Sequence, residues 1–202
     1  NNKLIKCCLD DTTMIIFSQN LANYGLPIPQ NAIFRVNLAW VNSLKELQVI
    51  LEKHKSREIF LDLPANRTKP PNQKYNIDDL LPIIKNNPNI KYFAVSNIHS
   101  VDDLKIYLEI VPKHVTLVPK IESAEGISNI KEITDVLGSK KILMLDHDDL
   151  YSSIIKSNQP DSKFLECFNE LVDYCKNQNI ILLRTIGVVF SDQEKRITDY
   201  VG

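Results

Sequence analysis

Three stretches of the chain put charged side chains where chemistry could use them. In the run from Val118 to Gly126, an apolar segment ends on Lys120 and Glu122. Side chains on an extended chain repeat every two residues, so these two share one face. A carboxylate there suits a hard divalent cation, and the ammonium can neutralise developing negative charge or move a proton. In Met144 to Leu150, the carboxylates Asp146, Asp148 and Asp149 and the imidazole of His147 follow another apolar run. Magnesium takes one or two carboxylates from a protein, so one of these aspartates with Glu122 would suffice. A solvated turn with Asp148 or Asp149 capping the next helix accounts for the same residues. His147 reads as an incidental loop histidine rather than a base. The third stretch is Phe34–Arg35–Val36–Asn37, with Asp62 and Arg67 further on. Arg35 suits a phosphate or carboxylate ligand, or an internal pair with Asp62.

The elements that must position these groups follow from hydrophobic patterning. Apolar runs at Leu4–Leu9, Ala32–Leu38, Glu58–Leu63, Tyr92–Val95, Val115–Ile121, Lys141–Leu145 and Ile180–Leu183 read as seven strands. Residues 43–54, 77–86, 100–110, 127–136 and 162–177 carry helical spacing, with Ser100 and Asp161 as N-terminal caps. Strand–helix alternation without strict polar alternation in the strands predicts a parallel α/β sheet covered by helices. The first predicted strand is followed by Asp10–Asp11–Thr12–Thr13 and no glycine, unlike the glycine-rich turn of a dinucleotide-binding doubly wound sheet. Polar residues gather instead at C-terminal strand ends: Arg35, Asn37, Asp62, Ser96, Lys120, Glu122, Asp149 and Thr185. That distribution predicts a TIM-type (β/α) barrel with seven readable strands and the eighth missing or replaced. Pro64–Asn76 reads as a loop, and residues 10–24 show no helical period.

Composition narrows the function classes. The chain has 202 residues, 44% of them hydrophobic, enough for one domain spanning 1–202. Its 24 basic and 25 acidic residues leave a formal net charge of -1, so no basic field exists for nucleic acid or an anionic membrane. No apolar run reaches membrane-spanning length. Cys7, Cys8, Cys167 and Cys175 lack zinc-site spacing and read as small buried residues of a reducing compartment, which places the chain in the cytoplasm. Trp40 reads as a packing residue.

In their order along the chain, these segments resemble the central barrel of pyruvate kinase, a member of the phosphoenolpyruvate/pyruvate-binding superfamily that includes class II pyruvate aldolases and the citrate lyase β-subunit family. Arg35–Val36–Asn37–Leu38 resembles the family's phosphate and monovalent-cation segment, and Leu61–Asp62 with Arg67–Thr68 resembles its Leu-Asp…Arg-Thr segment. Lys120–Ile121–Glu122 resembles its Lys-Ile-Glu, Met144–Leu150 its metal-aspartate loop, and Arg184–Thr185 its Ala-Thr. The resemblance implies Mg2+ or Mn2+ on Glu122 and Asp149, with K+ as an additional cation at Asp62. It implies catalytic roles for Lys120, Arg67 and Thr185, and substrate contacts from Arg35, Asn37 and Ser96. The implied partner is phosphoenolpyruvate, pyruvate or a related 2-oxo acid, processed through a metal-bound enolate. Ala39 and His147–Asp148 depart from the family pattern, and no lid domain follows the third strand, so kinase turnover with ADP is expected to be weak or absent. The alternatives are a carbon–carbon lyase of the citrate lyase β-subunit type and a non-catalytic binding module. A barrel one strand short also exposes apolar edges at Leu4, Ile5, Ile181 and Leu182. The expectation is a parent chain continuing past Gly202, a homo-oligomer joined across the gap, or a cover formed by residues 10–24.

Overall fold

The computed structural model describes residues 14–19, 27–65 and 75–184. Within them the order is β1 (Ile16–Ser18), β2 (Ile33–Asn37), α1 (Leu44–Lys53), β3 (Ile59–Leu63), α2 (Ile77–Asn86), β4 (Ile90–Val95) and α3 (Asp102–Ile110). Then come β5 (Thr116–Pro119), α4 (Ala124–Ser128), α5 (Ile130–Asp135), β6 (Ile142–Leu145), α6 (His147–Lys156), α7 (Ser162–Asn177) and β7 (Ile181–Arg184). Strands β1 to β5 form one parallel sheet in sequential order, and β6 and β7 form a parallel pair. A parallel bridge from Lys120 to Met144, with Ile121 N donating to Met144 O at 2.9 Å, ties the end of β5 to β6. The fold is therefore α/β with parallel strands, and the described strands do not close into a barrel.

Two apolar layers form because side chains alternate across each strand. One face packs on the helices through Phe34, Val36, Leu61, Leu63, Phe93, Leu143 and Leu145. The other gathers Ile16, Ile33, Phe60, Tyr92, Ala94, Val118, Ile142, Met144 and Leu183 into a second cluster, to which every described strand contributes. Burial on both faces explains why the strands read as continuous apolar runs. The same parity carries this second face on to Arg35, Asn37, Asp62, Ser96, Lys120, Glu122 and Asp146, at or just beyond the C-terminal ends of their strands.

The strands and helices sit largely where the pattern puts them, with specific exceptions. The neighbour of β2 is Ile16–Ser18, inside the segment expected to act as a cover, whereas Leu4–Leu9 lies outside the described residues. So do Cys7, Cys8, Arg67, Thr185 and the edge residues Leu4 and Ile5. The helix expected over 127–136 is two short helices meeting at Asn129. Neither Ser100 nor Asp161 accepts a capping hydrogen bond from the helix N–H groups; Asp103 instead accepts from the backbone N–H of His99 and Ser100, both at 2.9 Å. Trp40 is 52% exposed rather than packed. Cys167 and Cys175 are buried, as expected, and burial raises the proton affinity of Cys167.

His54, capping α1, stacks on Phe34 with ring centroids 3.7 Å apart. Burial, then the charges of Lys53 and Arg57, hold its pKa below the ordinary 6.5. The unfolded chain therefore takes up this proton first as pH falls, so stability present above about 6.5 declines on acidification. Urea midpoints measured at pH about 7.5 and about 5.5 should show that decline, and His54→Phe, which keeps the ring stack, should reduce it. An identical pH dependence in the variant would assign the decline to other groups.

Candidate metal centre

Glu122 owes its position to three local devices. Ser123 has extended backbone and caps α4, its Oγ accepting from Gly126 N at 3.1 Å, so the chain turns immediately after the glutamate. Asn97 sits at a φ of 55°, a left-handed conformation that asparagine tolerates better than most residues, and its N–H donates to Glu122 Oε2 at 2.9 Å. The Asn97 amide also donates to Ala65 O at 2.8 Å, tying the ends of β3 and β4 together. Gly126 lies where α4 passes the Ile98 carbonyl, and a Cβ there would stand 2.6 Å from that oxygen. Gly126→Ala should therefore lower stability by about 1–3 kcal/mol, read as a shift in urea midpoint at unchanged slope. An unshifted midpoint would mean that the close approach costs nothing.

The second acidic element is a helix rather than the expected turn. Asp146 caps α6, its Oδ1 accepting from Asp148 N at 3.1 Å and Asp149 N at 3.3 Å. The positive end of the helix dipole favours the acids crowded into this first turn. His147 is not a loop residue: it is buried beneath α6 against Phe164 and Phe168, with centroids 6.4 and 5.6 Å away. Glu122, Asp146 and Asp149 each bring a carboxylate oxygen within 4.8 Å of the others. Glu122 and Asp149 come together, but Asp149 reaches the group from the first turn of α6 rather than from the end of a strand. Asp146, one of the three aspartates offered by this stretch, joins them as well as Asp149; an aspartate directly after a buried strand and before a helix is a cap signal that marks its position.

Beside this group lies a buried ion network. Lys120 Nζ is 3.0 Å from Glu122 Oε1, 3.8 Å from Asp62 Oδ1, and donates to Ser96 Oγ at 2.9 Å. Arg35 donates to Asp62 Oδ2 through Nε at 3.0 Å and through Nη2. Burial opposes the charge on Lys120, but Asp62 and Glu122 outweigh it and raise its proton affinity above the ordinary lysine value. Burial, then the negative charges of Asp146 and Asp149, raises the proton affinity of Glu122, against the pull of Lys120 and the Asn97 N–H. Among the described residues, Glu122 Oε1 receives no hydrogen bond of good geometry, and the Lys120 ammonium lies 3.0 Å from it. Three hard oxygen donors with excess negative charge fit a divalent cation such as Mg2+ or Mn2+. Arg35 is spent on Asp62 rather than facing a ligand, and Asn37 Oδ1 caps the following turn by accepting from Ala39 N at 3.0 Å. Asn37, Asp62, Ser96, Lys120, Glu122 and Asp149 line one cavity of about 250 Å³, small enough to select a small ligand.

No family model matches the chain, and no curated protein matches it in sequence. Among solved structures, RipC from Yersinia pestis is similar, at 16% identity and a TM-score of 0.57, over 79% of this chain and 72% of RipC. At that identity the likeness concerns the fold. These findings overturn the resemblance to the pyruvate kinase barrel: the segments that carried it match no family model, the fold they belong to is shared with RipC, and the described strands form an open sheet and a pair.

Proposed function

We propose that this protein is an enzyme that binds one Mg2+ or Mn2+ on Glu122, Asp146 and Asp149 and enolises a small 2-oxo acid. The observation that carries this reading is the convergence of three carboxylates within 4.8 Å of one another, two of which, Glu122 and Asp149, line the cavity that also holds the buried Lys120. A cation held there would supply electrophilic polarisation of a substrate carboxylate and its neighbouring oxygen. The chain's own residues supply the rest. Lys120 sits between Glu122 and Asp62, within reach of both, and stabilises negative charge developing on substrate oxygen. Ser96 holds the ammonium by its hydroxyl. Arg35 holds Asp62 through Nε and Nη2 as the counter-charge that remains beside Lys120. With Asp62 already carrying two protein cations, the reading uses one divalent ion and needs no K+. We also propose that the strands curl toward a barrel, supported by their sequential order and by the cluster to which every described strand contributes.

In enolisation the C3–H bond breaks, its proton passes to solvent water and its electron pair moves onto the 2-oxo oxygen, and the return of a solvent proton to C3 exchanges the protons on that carbon. Incubation with pyruvate or 2-oxobutyrate in D2O, followed by proton NMR, should show loss of the C3 signal that depends on Mg2+ and stops with a chelator. Metal-independent exchange, or none with either acid, would sink the enolisation reading.

A further inference from the structure

Resting on that reading, we propose that the substrate carries a second anionic group, a carboxylate or phosphoryl, which α6 holds through Ser152, Ser153 and Lys156. Asp149, Ser152, Ser153 and Lys156 are spaced i, i+3, i+4 and i+7, so they form a single stripe along the helix. The opposite side of α6 is buried through His147, Leu150 and Ile154. A polar stripe on a half-buried helix is ordinarily a solvated face. Here all four residues line the cavity that contains Glu122 and Lys120. Their exposure rises along the stripe, from half-buried Asp149, Ser152 and Ser153 to exposed Lys156 at the mouth. Lys156 makes no ion pair among the described residues. One end of the cavity is thus acidic and suited to a cation, and the other offers hydroxyls and an ammonium, which suit an anion.

The spacing sets the ligand's length. Seven residues separate Asp149 from Lys156, a rise of about 10 Å along the helix. A three-carbon acid such as pyruvate bound at the carboxylates leaves that distance unfilled, whereas a 2-oxo diacid or a phosphorylated 2-oxo acid a few atoms longer bridges it. Lysine reaches the distal group by its flexible stem and acts as a point charge, so either anion is accepted.

Mn2+ binding is first measured by electron paramagnetic resonance with no acid present. Affinities of the Mn2+-loaded protein are then compared for pyruvate, 2-oxoglutarate and 3-phosphohydroxypyruvate. At least one of the two dianionic acids should bind about tenfold tighter than pyruvate or better, the worth of one charge-assisted contact. The preferred one tells carboxylate from phosphoryl. Lys156→Met should remove that preference while Mn2+ affinity stays as in the parent, and the double variant Ser152→Ala, Ser153→Ala should reduce it. Retained Mn2+ binding with no preference for either dianion, or a preference untouched by Lys156→Met, overturns this proposal alone. Absence of Mn2+ binding overturns the cation reading itself.

Discussion

Replacing Glu122 by glutamine should abolish cation binding while leaving the protein folded. The substitution preserves shape, and the Asn97 N–H that now donates to Glu122 Oε2 at 2.9 Å can donate equally to an amide oxygen. It removes one of three negative charges from a site whose ligands lie within 4.8 Å of one another. Losing a hydrogen-bond partner to a metal ligand costs about 10–100-fold in affinity, so losing a charged ligand should exceed that range. Lys120 keeps Asp62 and Ser96, so its ammonium is not stranded. Isothermal titration with Mn2+ should show loss of affinity beyond about 100-fold, with an almost unchanged urea midpoint. Wild-type affinity in this variant would remove Glu122 from the site.

Lys120→Met should have the opposite signature: a large loss of stability that added cation partly restores. The lysine is 5% exposed and neutralises Glu122 and shares Asp62 with Arg35. Removing one partner from a buried ion network costs about 3–5 kcal/mol because the remaining charge is left uncompensated. Arg35 still compensates Asp62, so the loss centres on Glu122 and should fall toward the lower end of that range. A divalent ion would supply the missing positive charge beside Glu122. The rise in melting temperature on adding Mn2+ should therefore be larger in Lys120→Met than in the parent. Equal shifts in both proteins would mean that ammonium and cation do not share this carboxylate.

Much of this arrangement was legible in the residues, and the losses have definite causes. Lys120 and Glu122 could be placed together because strand parity depends only on spacing two. Ile77–Asn86 and Ser162–Asn177 follow the helical period end to end because their apolar faces are uninterrupted. Ile16–Ser18 escaped notice because three residues are too few to show alternation, while Leu4–Leu9 offered a longer apolar run. Helix α6 hid behind His147–Asp148–Asp149: a charged first turn reads as a loop until Asp146 is recognised as its cap. Asn97 left no pattern at all, since its role rests on a left-handed backbone rather than on a face. The family resemblance misled because charged residues at C-terminal strand ends serve many α/β proteins, and short matches in order report that placement more than descent.

The central claim is that Glu122, Asp146 and Asp149 hold a divalent cation facing Lys120. It is tested most directly by anomalous diffraction at the manganese edge from crystals soaked with Mn2+ and oxalate, a planar mimic of an enolised 2-oxo acid. The account predicts a single strong peak among those three carboxylates, with oxalate chelating it on the side of Lys120. A manganese peak elsewhere, or none at this cluster with the cavity still open, would contradict it.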